Sequence, residues 1–309
     1  MSAPVVLFVY NRPNHTEKVL YALNNAVYGE MDLYIFSDGW KSEKDKANVE
    51  TVRMIVKQFL SKSKFARTII YESPTNQGLA NSVIKGVTRI INDYGNVIVL
   101  EDDLVVSKHF LAYMNKALDY YCEDEKIWSI SGYSFPMKSL AEYNHDVFVN
   151  GRGCCWGWAT WKNRWDLVDW EVREYNKFKH NWLLRRRFGK YGRDLPIMLD
   201  AQMYTNHNSW AIRWCFSEFV NKSFTIYPKK SYVLNIGNDG SGIHKSSLAN
   251  RFDTIIDDGD KFECVLEDVH EDKRISKEFA KKYYISSWHS FKQEIRWILI
   301  RCGLLNPNK

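Results

Sequence analysis

The 309-residue chain has no run near the ~18 apolar residues of a membrane-spanning helix, and no basic n-region or signal-peptide core precedes Val5. Its six cysteines (Cys122, Cys154, Cys155, Cys215, Cys264 and Cys302) include no Cys-x-x-Cys pair and no regular framework. Neither a zinc ribbon nor a disulfide scaffold is therefore indicated, and a reducing, cytoplasmic setting is expected. There is no internal repeat, no low-complexity linker and no GxxxxGK[ST] phosphate loop. Charge of one sign is scarce as well: 43 Lys and Arg against 37 Asp and Glu leave +6, which does not by itself predict nucleic-acid binding. Aromatics, by contrast, are abundant. Twelve Trp, 18 Tyr and 16 Phe make 15% of a chain long enough for one large α/β domain, and such flat apolar faces stack on bases and sugars.

Hydrophobic period organises the first part of the chain. Val5 to Tyr10 reads as a strand, followed by a helix with Val19, Leu20, Leu23, Ala26 and Val27 on one face and Asn14-x-x-Glu17 as a capping box. Leu33 to Phe36, Thr68 to Tyr71, Val97 to Leu100 and Ile127 to Ser131 read as further strands. Helices carrying the stripes Val49, Val52, Val56, Phe59 and Leu79, Val83, Val87, Ile90 alternate with them, the first opened by Ser42-x-x-Asp45. Ser107 caps the helix of Phe110, Leu111, Met114 and Leu118. Apolar strands separated by helices predict a Rossmann-like, mostly parallel sheet covered on both faces. After Tyr133 come a Trp-rich stretch, a basic segment from Arg173 to Arg193, a Gly-rich loop at 237–242 and an amphipathic helix ending at Gly303.

Glu101-Asp102-Asp103 follows the apolar strand directly. Ligands of open α/β sheets bind beyond the carboxyl ends of strands, and three adjacent acids repel one another unless a cation joins them. A few hard oxygens suit Mg²⁺ or Mn²⁺, which keep waters and take phosphate oxygens from a substrate. Trp156, Trp158, Trp161, Trp165 and Trp170 are too many for one helical face. At least one, Trp156 or Trp158, is expected against the C–H face of a sugar, with packing between the sheet and a second lobe as the competing use. The cluster Arg173, Lys177, Lys179, Arg185, Arg186, Arg187, Lys190 and Arg193 is either a solvated helix face or a contact for an anionic acceptor or membrane surface.

Strand-Glu-Asp-Asp-Leu-x-Val followed by a Phe-rich helix resembles the metal motif of GT-A glycosyltransferases, nearest to the N-acetylglucosaminyltransferase I family, over residues 4–244. Pro4 to Arg12 is similar to that family's first strand, Ser37-Asp38-Gly39 to its uracil-reading turn, and Asp124 to Ser131 to the strand after its metal helix. Trp156-Gly157-Trp158-Ala159-Thr160-Trp161 is shared with bacterial polysaccharide sugar transferases. The resemblance implies a GT-A fold whose residues 1–132 bind the nucleotide sugar, whose residues 133–270 form the acceptor and catalytic half, and whose residues 271–309 are a helical tail. It implies that Asp103 binds Mn²⁺ or Mg²⁺, Asp102 the ribose or a metal-bound water, and Glu101 the donor sugar or ribose. Arg12 would serve the diphosphate or base, Asp38 the uracil, and Gly240 and Ser241 a loop over the donor. His244 would complete the metal site or meet the diphosphate. Asp200 lies where the family has its catalytic base, with Glu218 the competitor and Asp194 a third.

The implied reaction moves a sugar from a UDP donor, UDP-GlcNAc, UDP-GalNAc or UDP-Gal, to a carbohydrate or lipid-linked glycan with inversion, in bacterial surface polysaccharide synthesis. A sugar-phosphate nucleotidyltransferase needs a Gly-rich loop after its first strand, where this chain has Asn11-Arg12-Pro13-Asn14. A noncatalytic carbohydrate-binding protein is the alternative from another class. Trp288, Phe291, Ile295, Ile298 and Leu299 are expected on one stripe of the tail helix, beside Lys292 and Arg296, facing either the body of the protein or a membrane interface. Nucleic acid is not an expected partner.

Overall fold

The computed structural model describes residues 2–237, 252–284 and 287–306. Strands β1 (Val5–Val9), β2 (Asp32–Ser37), β3 (Arg67–Glu72) and β4 (Asn96–Glu101) alternate with helices α1 (Pro13–Ala26), α2 (Glu43–Phe59) and α3 (Leu79–Tyr94). After them come β5 (Leu104–Val106), α4 (Phe110–Tyr120), β6 (Ile127–Ser131), α5 (Lys138–Ala141), β7 (Val147–Asn150) and β8 (Trp158–Trp161). The short helices α6 (Lys162–Trp165), α7 (Tyr175–Phe178) and α8 (Trp182–Phe188) lead to α9 (Asp194–Tyr204) and α10 (Trp210–Val220). Strands β9 (Phe224–Pro228) and β10 (Val233–Asn235) and helices α11 (Lys273–Lys282) and α12 (Ser287–Arg301) complete the chain.

The main sheet has the order β3-β2-β1-β4-β8-β6-β9-β7. Its first four strands are parallel, β8 runs antiparallel between β4 and β6, β9 is parallel to β6, and β7 is antiparallel to β9. This is the α/β class with a mostly parallel, helix-flanked sheet expected from the hydrophobic pattern. Strand β1 shows why both faces are covered: Val5, Leu7 and Val9 join one core beside α1, α2 and α4, while Val6 and Phe8 join a second beside α3. Within the Trp-rich stretch, Trp158–Trp161 forms a strand inserted at the centre of the sheet.

Local signals account for most element ends. The Asp45 carboxylate accepts from the Ser42 backbone N–H at 3.1 Å, closing the capping box of α2. The Asn14–Glu17 pair does not cap α1. Pro13 already occupies the first helical position, where its missing N–H costs nothing. Helix α12 stops at Gly303, φ 72°, with Leu304 N–H donating to the Leu299 carbonyl at 2.8 Å.

Of the tail's expected stripe, the described residues Ile295 and Ile298 do not pack on the body. Trp297 and Ile300 are buried, whereas Ile295 and Ile298 are 41% and 46% exposed. The side chains of Trp288 and Phe291 lie outside the described set. Helix α11 is part of the body, with Ile275 and Phe279 buried in the first core. Among the described residues no helix is long and apolar enough to cross a membrane.

Candidate active site

Strand β1 has β2 on one side and β4 on the other, all three parallel, so the chain reverses its direction of travel across the sheet at the β1/β4 boundary. A crevice opens at the carboxyl ends of strands at such a switch point. Arg12 leaves the end of β1, and Glu101-Asp102-Asp103 leave the end of β4, where Phe8 and Glu101 are register partners. The Arg12 guanidinium pairs with Asp102 and lies 3.1 Å from Asp103 Oδ2, and the Tyr10 backbone N–H donates to Asp102 at 3.1 Å. Burial works against the charge on Arg12, yet Asp102 and Asp103 hold it above its ordinary value. Burial, with the negative charges of Asp103 and Asp102, pushes Glu101 up to about 8. Two of the three acids pair with the one guanidinium, and burial first, then the neighbouring negative charges, favours the neutral form of the third, Glu101.

Of the three acids, Asp103 is the one whose carboxylate could hold a small hard cation. Among the described residues no three His, Cys, Asp or Glu side chains form a metal cluster. Asp102, with a side chain 5% exposed, accepts from both Arg12 and Tyr10, whereas Asp103, 16% exposed, shares one oxygen with Arg12 at 3.1 Å and is the more accessible of the two. A partial set of this kind suits a metal that fills its remaining positions with water and substrate phosphate. Gly237 lies against this carboxylate so closely that a Cβ there would stand 2.2 Å from Asp103 Oδ2. The Ile236 N–H donates to the Asp103 carbonyl at 2.9 Å, and a His15 ring nitrogen lies 3.2 Å from the Ile236 carbonyl oxygen. Gly240, Ser241 and His244 lie outside the described residues.

Asp38 sits in the turn after β2, but its carboxylate is spent on the protein. It accepts from the backbone N–H groups of Gly39, Gln77 and Gly78 at 2.9, 2.8 and 2.9 Å, and from Asn76 Nδ2 at 3.2 Å. Gly39 is required there, since a Cβ would meet the Thr75 carbonyl carbon at 2.5 Å. Arg53 braces the turn from α2 by donating to Ser37 Oγ and the Ser73 carbonyl at 3.2 and 2.7 Å. Neither Arg53 nor Asn76 was readable as a site residue, because each reaches the turn only through tertiary packing.

On the other side, residues 151–157 join β7 to β8. Arg152 holds Asp194 by two hydrogen bonds of 2.8 Å, its carbonyl accepts from Tyr227 Oη at 2.6 Å, and its guanidinium lies over the Tyr283 ring at 3.6 Å. Trp156 is half-buried, edge-on to Tyr133 and Phe252 at centroid distances of 4.6 and 5.8 Å. Trp158 is a correction. It is fully buried, stacked on Trp165 and Trp210 and packed against Trp214, because strand alternation turns it into the second core, so it cannot meet a sugar.

Asp200 is also corrected. It is fully buried, takes two hydrogen bonds from Arg185 at 2.9 and 2.8 Å and one from Tyr175 Oη at 2.7 Å, and has Arg301 of α12 3.5 Å away. Arg185 and Arg301 also reach Glu294, so this is a closed ion network that docks the tail, with no oxygen free to take an acceptor's proton. Arg185 accordingly leaves the basic cluster's solvent face. Asp194 is occupied by Arg152. Glu218 is fully buried but unpaired: Oε1 accepts from Thr225 Oγ1 at 2.8 Å, which is 2.8 Å from Ser129 Oγ, while Oε2 has no partner meeting hydrogen-bond geometry and faces Gly153. Burial raises it to about 8, against the lowering effects of Thr225, the Gly153 amide and Arg152.

No protein-family model and no curated protein matches the chain. Among solved structures it is similar to residues 1–349 of TarS from S. aureus, at 12% identity over 75% of this chain, with a TM-score of 0.43. The chain spans 60% of the length of that TarS structure. It is also similar to the mannosyltransferase PcManGT from Pyrobaculum calidifontis in complex with GDP-Man and Mn²⁺, at 12% identity over 54% of this chain and 45% of that one, TM-score 0.37. A UDP-glucose pyrophosphorylase complexed with UDP-glucose matches at 11% identity over 74% and 90% of the two chains, TM-score 0.35. Likeness at this level assigns no activity.

Proposed function

We propose that the chain is a GT-A-type glycosyltransferase that takes a sugar from a UDP-linked donor, with a divalent cation, and passes it to a glycan acceptor with inversion. One observation carries the reading: an arginine from the end of β1 pairs with two carboxylates, Asp102 and Asp103, that leave the end of β4 at the switch point of the sheet. A sugar diphosphate needs cationic partners for its phosphates, and Arg12 supplies charge-assisted hydrogen bonds there. Asp103 would hold Mg²⁺ or Mn²⁺, which supplies Lewis-acid stabilisation of the departing diphosphate. The turn fixed by Asp38 shapes the base pocket through its backbone, since the carboxylate itself is occupied. Trp156 offers the ring face for a sugar. Of the three carboxyl groups considered as base, Glu218 alone is free of an ion pair; burial raises it to about 8, so its capacity to accept a hydroxyl proton would grow as pH rises toward that value.

A nucleotidyltransferase reading lacks support at the first strand, where Pro13 starts α1 immediately after Arg12 and leaves no glycine-rich phosphate loop. The test is a nucleotide-sugar screen for metal-dependent hydrolysis, paired with calorimetric titration of UDP in Mn²⁺. UDP binding and hydrolysis that chelator abolishes support the reading. Formation of a nucleotide sugar from UTP and a sugar phosphate would replace it with the nucleotidyltransferase, and sugar binding without UDP binding with a carbohydrate-binding protein.

A further inference from the structure

A second, strongly cationic site lies on the acceptor side of the molecule. Lys273, Lys277 and Lys281 recur at every fourth residue of α11, while Ile275 and Phe279 anchor the helix's other face in the core. Like charges four apart repel along a helix, so three in register are a cost unless something outside the helix compensates. Across from them Lys190 lies within the Gly189–Tyr191 turn and Arg193 just after it, and the two elements enclose a groove of about 360 Å³ lined by all five cations with Ser276 and Tyr284.

No carboxylate lines this groove. The neighbouring acids are committed elsewhere: Glu271 pairs with Lys190 at 2.7 Å, and Asp272 caps α11 and holds Arg274 at 3.0 Å. Glu278 accepts from the backbone of Lys138 and Ser139, both at 2.8 Å, and Asp194 belongs to Arg152. No acid therefore lies among the groove's lining; of its five cations Lys190 is paired with Glu271 and Lys281 acts on Glu278 through its charge, while Lys273, Lys277 and Arg193 add positive charge to the groove.

The groove also adjoins the proposed active-site loop. Tyr283, at the end of α11, covers the Arg152 guanidinium, and Gly192, between Lys190 and Arg193, packs so closely that a Cβ would lie 2.3 Å from Arg152 Nη1. Arg152 continues directly into Gly153 and Trp156.

We propose that this groove binds the phosphoryl groups of an anionic glycan acceptor, holding the chain of sugars so that its end enters beside Trp156. This rests on the glycosyltransferase reading for the word acceptor, but the anion site itself does not. The probe is inorganic tripolyphosphate, titrated into the full chain in EDTA so that no metal site at Asp103 contributes. The wild type binds it with an affinity that falls as salt rises. Lys277→Ala with Lys281→Ala, and separately Arg193→Ala, each weaken it by about tenfold or more while UDP affinity in Mn²⁺ is unchanged. Phosphomannan displaces the bound tripolyphosphate, and the same polymer after enzymatic dephosphorylation does not. Equal binding by wild type and variants, or displacement by phosphatidylglycerol vesicles but not by phosphomannan, overturns the proposal. Loss of UDP binding with tripolyphosphate binding intact strikes the glycosyltransferase reading alone.

Discussion

Two clusters in this molecule are built from the same parts and do opposite things. At the switch point Asp102 and Asp103 share the single cation Arg12, with Glu101 beside them raised to about 8, so the carboxylates outnumber their cation. Under the tail helix Asp200 and Glu294 meet Arg185 and Arg301, two against two, and Tyr175 takes the remaining place on Asp200. A balanced, sealed network holds elements together. An unbalanced one at a strand end is available to a ligand.

Substitutions can break this comparison. Asp103→Ala is expected to lower kcat/KM for transfer by about 10²–10³-fold with unfolding temperature unchanged. Asp200→Ala is expected to do the reverse. It leaves two buried guanidinium groups short of a partner, a loss of about 3–5 kcal/mol that is read by denaturant unfolding, and its activity follows the folded fraction. If Asp200→Ala unfolds normally yet fails in turnover, the two clusters have been assigned the wrong way round.

Glu218 sharpens the comparison because it is buried without any ion pair. In the folded chain it holds its proton to about 8, whereas an unfolded carboxyl releases it near 4.5. Between those values the folded state binds more protons, so stability is full below pH 4.5 and falls as pH rises through 8. Activity that needs the ionised base rises over the same interval. Glu218→Gln should flatten the stability profile and lower kcat by about 10²-fold, measured by unfolding and steady-state rates across pH 5–9. A variant that flattens stability but leaves kcat intact makes Glu218 a support for the Gly153 loop and returns the base to an unassigned group.

The two tryptophans should separate in the same manner. Trp158→Ala costs about 3–5 kcal/mol of stability as a core truncation. Trp156→Ala, half-buried at the rim, raises the acceptor KM with a smaller loss of stability. Least affected is Ile298→Ser on the outer face of α12: stability changes by less than about 0.5 kcal/mol. A fall in co-sedimentation with anionic vesicles in that variant would show that this face meets lipid.

The alternation of apolar strands and amphipathic helices from Val5 to Ser131 was legible without coordinates, because period 2 and period 3.6 are local properties and the strands are apolar on both faces. The acidic triplet was legible for the same reason, as three charges directly after a buried strand. The status of Asp200 was not. A carboxylate flanked by Leu199 and Ala201 looks the same whether it faces a cleft or Arg185, fifteen residues before it, and Arg301, a hundred and one after. Trp158 and Trp156 are two residues apart and differ only in what lies opposite them. Which stripe of α12 packs on the body was not legible, because several are apolar enough to bury, and docking on α9 through Trp297, Ile300 and the Arg301 ion pair selects one of them. What the chain determined alone was periodic and local: the elements, their order and the acids at a strand end. What only tertiary structure decided was which charges were neutralised, since Coulomb attraction and desolvation depend on neighbours in space rather than in sequence.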